Sequence, residues 1–188
     1  SNFVVRGFTH TPKLADLADA ARSLGVPQIS DLGSGTFAPL PEALAGRTTP
    51  ADELQAGVDL LCFSGDKLLG GPQCGIILGR KELVERLARH PLARAVRVDK
   101  LTLGALDYTL TAYRCGRPEQ IRVWQMLHRD KEWMATQAER LMAGLEGLDL
   151  DLSVVDCDDP VGGGSHPGEV LEGLAVAISK HGVNLTAL

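Results

Sequence analysis

The chain has 188 residues, of which 44% are apolar and 23% charged, an ordinary balance for one soluble globular domain or one domain and part of another. A formal net charge of −5 argues against a whole-chain basic footprint for nucleic acid. No apolar run reaches the length of a membrane span, and the first residues lack the basic-then-apolar layout of a signal peptide.

Phe3 to Phe8 reads as a strand. Thr11 then caps a helix with Pro12 at its first position, and Leu14, Leu17, Ala18, Ala21 and Leu24 make one apolar face that stops at Gly25. Pro27 to Asp31 is a short strand followed by a glycine-rich turn. After a loop containing Pro39 and Pro41, Thr49-Pro50 opens another helix that stops at Gly57. The alternation of strands and helices is the mark of crossover units, hence a mostly parallel sheet with covered faces. Beyond Gly79, Lys81 to His90 makes a helix that Pro91 ends. Asp99 to Tyr113 and Pro118 to Leu145 read as two long helices. The second carries a stripe of Ile121, Trp124, Leu127, Met134, Leu141 and Leu145 for packing across a domain junction. Leu150 to Asp156 alternates like a strand that opens a second domain, and Leu174, Val176 and Ile178 favour a further strand over Gly173–Lys180. The cysteines Cys62, Cys74, Cys115 and Cys157 form no C-x-x-C pair, so reduced thiols of a cytosolic protein are expected, with neither metal nor disulfide.

The stretch Val58 to Gly79 carries the chemistry. An apolar run, a Ser64-Gly65-Asp66-Lys67 turn, a Gly70-Gly71-Pro72 kink and a second apolar run follow one another. Taken alone, Lys67 is a turn lysine with its head in water. Held between buried strands, its ammonium is costly to desolvate, loses affinity for its proton and becomes a usable nucleophile, as Schiff-base lysines are. Glycines on both sides let a backbone approach something bulky, and successive N–H groups can nest an anion.

The run Ser64-Gly65-Asp66-Lys67-Leu68-Leu69-Gly70-Gly71-Pro72-Gln73 resembles the cofactor-lysine motif of the bacterial selenocysteine synthases, the L-seryl-tRNA(Sec) selenium transferases. These are pyridoxal 5′-phosphate (PLP) enzymes of the aspartate-aminotransferase-like, fold type I group. Asp31-Leu32-Gly33-Ser34-Gly35, His90-Pro91-Leu92, Arg97-Val98-Asp99-Lys100-Leu101-Thr102 and Val161 to Gly168 agree with the same family, as does the start of the chain. The resemblance implies an α/β fold. Residues 1–115 would be the C-terminal half of the PLP-binding large domain, 116–148 a connecting long helix, and 149–188 the truncated beginning of a smaller α+β C-terminal domain. It also implies a protein well over twice this length, so the chain is expected to be a fragment, inactive alone, lacking the domain the family uses on tRNA.

The site residues follow from that resemblance. Lys67 is the lysine that holds PLP and then serves as base at the serine Cα. Asp31, at the end of a strand beside the one leading to Lys67, pairs with the pyridinium nitrogen; on the local sequence alone a turn- or helix-capping aspartate is equally good. Ser64 contacts the cofactor phosphate or is a plain turn serine. Asp66 tunes the lysine or handles a proton, or is a surface aspartate. Gly70 and Gly71 approach the phosphate, of the same or of a neighbouring subunit. Arg94 and Arg97, three residues apart, clamp selenophosphate with planar guanidinium forks, where isolated arginines would be solvated. The implied reaction converts seryl-tRNA(Sec) to selenocysteinyl-tRNA(Sec) through an aminoacrylyl intermediate, in a cytoplasmic homo-oligomer without membrane contact. A paralogous PLP lyase or transferase acting on a small amino acid, and a non-catalytic remnant, are the rival readings.

Overall fold

The computed structural model of the chain describes residues 7–8, 10, 12–44, 48–162 and 168–180. Helix α1 (Leu14–Leu24) ends at Gly25, whose φ of 66° is the left-handed conformation, and its amide donates to the carbonyls of Ala21 and Arg22. Pro12 lies outside this helix, which starts at Leu14 after an extended Lys13; the expected cap Thr11 and the strand expected over Phe3–Phe8 fall mostly outside the described residues. Strand β1 (Ile29–Ser34) runs past Asp31, where the sequence reading ended it. Asp31 therefore sits mid-strand. The strand continues because a register shift between Asp31 and Gly33, with Gly33 at φ 72°, absorbs the glycine that reads as a turn.

Helix α2 (Pro50–Gln55) starts as its sequence requires. Thr49 Oγ1 accepts from the Asp52 amide at 3.2 Å, Asp52 Oδ2 accepts from the Thr49 amide at 2.8 Å, and Pro50 fills the first turn. The Thr49 amide, and then the Thr49 hydroxyl that donates to the same Oδ2 at 2.7 Å, hold the Asp52 carboxyl below its usual range. Strand β2 (Leu60–Ser64) then pairs in parallel with β1, and β3 (Gly75–Gly79) folds back antiparallel on β2, so the three-stranded sheet has the order β1-β2-β3. The mostly parallel sheet of the sequence reading is thus a parallel pair with an antiparallel third strand among the described residues. The connection between β2 and β3 is a tight loop, too short for the crossover a parallel third strand needs.

Leu61 and Phe63 of β2 point into the core with Val58 and Leu69, and Leu32, Ile76, Leu78, Leu106 and Tyr113 close around them. Phe37 meets Phe63 and Tyr113 edge-on, with ring centroids 6.1 and 5.9 Å apart. Leu61 and Leu69 are fully buried; at roughly 1.5–3 kcal/mol for each such side chain, this cluster anchors the loop between β2 and β3.

Helices α3 (Lys81–Arg89), α4 (Pro91–Ala95) and α5 (Lys100–Arg114) follow. Pro91 ends α3 as expected, yet it also opens α4, where His90 Nδ1 accepts from the Leu92 amide at 3.2 Å. Asp99 caps α5 by accepting from the Thr102 amide at 2.9 Å. The single long helix expected over Pro118–Leu145 is broken. A 3-10 turn (Pro118–Gln120) leads through an extended Ile121 into α6 (Arg122–Leu127), and α7 (Lys131–Gly144) starts afresh. Asp130 causes the second break: its carboxylate accepts from the Trp133 amide at 2.7 Å, and a side chain that caps a new helix cannot continue the old one. His128 closes α6 by donating from Nδ1 to the Trp124 carbonyl at 2.9 Å while its ring stacks on the Trp124 indole at 3.8 Å. Strands β4 (Asp151–Pro160) and β5 (Val170–Ser179) form a separate antiparallel ribbon along α7, so the strand favoured over Gly173–Lys180 is present and longer than expected. The architecture is mixed α/β, with a central sheet and a second small sheet.

Candidate active site

Lys67 stands at the tip of the β2–β3 hairpin, in a turn over residues 65–69, and is half-buried. The loop around it is fastened from several sides. The Gly65 amide donates to the Cys74 carbonyl at 2.8 Å, the Gly70 amide to the Lys67 carbonyl at 2.9 Å, and the Gly71 amide to the Gly65 carbonyl at 2.8 Å. The buried Ser34 hydroxyl, at the end of β1, accepts from the Leu68 amide at 3.3 Å, and the Tyr113 hydroxyl of α5 donates to the Leu69 carbonyl at 3.0 Å. Burial pushes the Tyr113 phenol up, so it stays a donor. Lys67 is therefore carried on a loop tied to its own ends, to β1 and to α5.

The glycines have steric reasons that the sequence reading did not contain. Gly65 is buried, and a Cβ there would lie 2.6 Å from Cys74 Sγ and 2.7 Å from the Pro72 carbonyl oxygen. Gly70 has φ 70°, and a Cβ on it would lie 2.5 Å from Ile121 Cγ2 and 3.2 Å from Val123 Cβ. At Gly71 the neighbours are the Gly65 carbonyl oxygen at 3.2 Å and Thr109 Oγ1 at 3.5 Å. These bare faces are filled by the chain's own α5 and the Ile121–Val123 segment, and the two amides are spent inside the loop. The anion nest expected from Gly70 and Gly71 is not formed by those N–H groups, because each already donates to a carbonyl.

Lys67 and Asp66 border a cleft of about 720 Å³. Its other walls come from α6 with Val123 and Met126, from Met134 of α7, from Arg129 between them, and from the Asp159–Gly162 and Leu171–Glu172 ends of the ribbon. Asp66 is exposed at the rim; its charge adds to burial in pushing the Cys74 thiol up. Asp31, Ser64, Arg94 and Arg97 are not in these walls.

Asp31 is exposed and level with Cys62 on β2, the parallel neighbour whose carboxyl end leads to Lys67. The Cys62 thiol donates to Asp31 Oδ1 at 3.8 Å; burial, then the Asp31 charge, push that thiol up and keep its proton on. Ser64 ends β2, between Ser34 and Gly75. Arg94 lies on α4 and Arg97 just after it; both are exposed and neither forms an ion pair among the described residues. The structure therefore gathers Lys67 and Asp66 at one cleft, sets Asp31 and Ser64 on the adjoining sheet, and leaves Arg94 on α4 and Arg97 just beyond it, outside the cleft walls. Ser34, Tyr113 and Arg129 escaped the sequence reading. Ser34 sits in a run that reads as a plain turn, and Arg129 inside a helix that turns out to be broken.

The sequence profile described as SelA: L-seryl-tRNA selenium transferase matches residues 1–188, the whole chain. Among curated proteins, the L-seryl-tRNA(Sec) selenium transferase of Hyphomonas neptunium is 42% identical over 182 residues, covering 95% of this chain and 39% of its own length. That of Escherichia fergusonii is 40% identical over 187 residues, with 96% and 40% covered, and that of Klebsiella pneumoniae is 41% identical over 186 residues, with the same coverage. The chain thus spans about 40% of the length of the curated relatives it matches. Among solved structures, a D-glucosaminate-6-phosphate ammonia-lyase superposes on 90% of this chain and 38% of its own with a TM-score of 0.48 and 19% identity. On the match along its full length, the chain belongs to the L-seryl-tRNA selenium transferase family.

Proposed function

We propose that the protein serves the PLP-dependent conversion of seryl-tRNA(Sec) to selenocysteinyl-tRNA(Sec), with selenophosphate as selenium donor, in a cytoplasmic homo-oligomer. The observation that carries this reading is the half-buried Lys67 presented on a hairpin tip fastened by several hydrogen bonds, at the edge of a largely apolar cleft, in a chain of this family. The division into part of a cofactor domain over 1–115, a connecting helical segment over 116–148 and the start of a smaller domain over 149–188 belongs to the same proposal.

The residues present fit PLP in part. A cleft of about 720 Å³ has ample room for a substituted pyridine, and Lys67 borders it as the amine that would bind an aldehyde. Asp31 lies on the strand parallel to the one that delivers Lys67, the placement from which a carboxylate holds a pyridine nitrogen protonated. The phosphate contact expected of Gly70 and Gly71 is the part that fits least, since their amides are engaged. When bound, the cofactor supplies an electron sink for a carbanion at the substrate Cα. Lys67 would hold it through Nζ, and its amine, when free, would move the substrate Cα proton. Asp66, next to it at the rim, is placed to manage the proton that leaves with the serine hydroxyl. Ser64, at the end of β2 where the loop begins, would contact the cofactor phosphate. Arg94 and Arg97, exposed and unpaired among the described residues, hold the selenophosphate oxygens.

Borohydride treatment of the protein incubated with PLP, followed by peptide mapping, tests this. The label is expected on the peptide containing Lys67, and Lys67→Ala should lose both label and turnover of seryl-tRNA. A label on Lys13, Lys81 or Lys100 would show that the central assignment is wrong. Turnover of free serine with no use of seryl-tRNA would favour a small-amino-acid lyase.

A further inference from the structure

Arg129 lies in the link between α6 and α7, half-buried in the wall of the cleft that Lys67 borders. Its guanidinium carbon stands 3.3 Å from the centroid of the Trp133 ring. The indole therefore covers one flat face of the group and fixes its plane. Stacking leaves the in-plane N–H edge unused, and that edge is the part of arginine that matches two oxygens of a carboxylate or phosphate. Asp66, Asp159 and Glu172 border the same cleft, yet Arg129 forms no ion pair with any of them, nor with any other described residue. A cation held flat by an aromatic ring, with its donors unspent on protein groups, is preset for an oxyanion that enters the cleft.

We infer that Arg129 is an oxyanion-binding residue of the Lys67 cleft and that the group it takes is a phosphate. The inference rests on the reading of the cleft given above, in which both the cofactor and the substrates carry phosphates. It also supplies a donor where the glycine amides are engaged. Asp130 caps α7, which ends α6 early and sets Arg129 in a non-helical link with Trp133 in the first turn beyond it. Continuous helix through this segment would put residues 129 and 133 one turn apart with both side chains aimed toward the same end, and the stack would depend on rotamers alone.

The test uses the protein with Arg129→Met and, as a milder change that keeps the charge and removes the fork, Arg129→Lys. Binding of inorganic phosphate, followed by phosphorus NMR, is expected to weaken about tenfold or more in Arg129→Met and by less in Arg129→Lys, from the loss of charge-assisted hydrogen bonds. Affinities for PLP and for unphosphorylated pyridoxal then distinguish the source. If the cofactor phosphate is the ligand, the preference for PLP over pyridoxal falls by the same factor in Arg129→Met. If a substrate phosphate is the ligand, that preference is unchanged, and inorganic phosphate still competes in the PLP-loaded wild type but no longer in the variant. Equal phosphate binding by wild type and both variants, with unchanged circular dichroism, overturns the inference. Should borohydride labelling miss Lys67 while Arg129→Met still loses phosphate, the lysine assignment fails and the Arg129 site stands.

Discussion

Replacing Gly70 by Ala tests whether the Lys67 loop is moulded on the segment that precedes α6. Two costs can be separated. Gly70 has φ 70°, where an L side chain costs roughly 1–2 kcal/mol. The new methyl would also lie 2.5 Å from Ile121 Cγ2 and 3.2 Å from Val123 Cβ. Ile121 is itself buried, so it has little freedom to withdraw, and overpacking of this kind costs roughly 1–3 kcal/mol. The expected destabilisation is about 2–5 kcal/mol. Ile121→Ala removes the obstructing methyls at a cost of its own, about 2–5 kcal/mol for a buried isoleucine. The informative number is the coupling. In the double variant Gly70→Ala/Ile121→Ala the clash with Ile121 disappears and only the looser Val123 contact remains, so its cost should undercut the sum of the two single changes by about 1–3 kcal/mol. Equilibrium urea unfolding of the four proteins gives all the values. Strict additivity would refute the reasoning, because it would mean that the loop does not rest on Ile121 in solution.

Ser34→Ala removes the acceptor of the Leu68 amide inside the core, and an unsatisfied buried donor should cost about 1–3 kcal/mol; amide hydrogen exchange at Leu68 should accelerate more than at Ile76 or Leu78 on β3. Asp59 accepts from the Gln28 amide at 2.9 Å and from Arg80 at 3.1 Å, and these bonds hold its carboxyl below the usual range. Its contribution is therefore complete above the unfolded value of about 3.9 and is lost as pH falls through the lower folded value. Thermal unfolding should show Asp59→Ala less stable by on the order of 1 kcal/mol at pH 7 and nearly equal to wild type near pH 2; a difference that persists undiminished at low pH would assign the loss to packing instead.

Much of the frame could be read from local chemistry. Gly25 ends α1, Thr49-Pro50 opens α2, and the two apolar runs around Lys67 become β2 and β3, because caps and turns act through groups a few residues away. The sequence reading went astray where distant groups decide. Gly33 reads as a turn, but parallel pairing with Phe63 carries the strand through it. The apolar stripe from Ile121 to Leu145 keeps helical spacing across a break that only the Asp130 cap reveals, and Arg129 was lost with it. For the candidate site, the glycine setting and the motif single out Lys67, and the structure sets that residue half-buried at the edge of a cleft. The hydroxyls of Ser34 and Tyr113 that hold its loop were not legible, since each reaches the loop from a residue 34 or 44 positions away.

The hairpin that presents Lys67 also sets the order of entropic costs in building the site. Pairing β2 with β3 joins neighbours in sequence, and closing so short a loop costs little chain entropy. Pairing β1 with β2 joins Asp31 to Cys62 across 31 positions with α2 in between, a dearer closure that must be met before its contacts return anything. The two layers of support around the lysine thus differ in kind. The Gly65–Cys74 and Gly71–Gly65 bonds are local and come with the hairpin, whereas the Ser34 bond to Leu68 exists only once β1 has docked. In this arrangement the lysine loop acquires its outline from its own neighbours and its final rigidity from a distant strand, the same strand that brings Asp31.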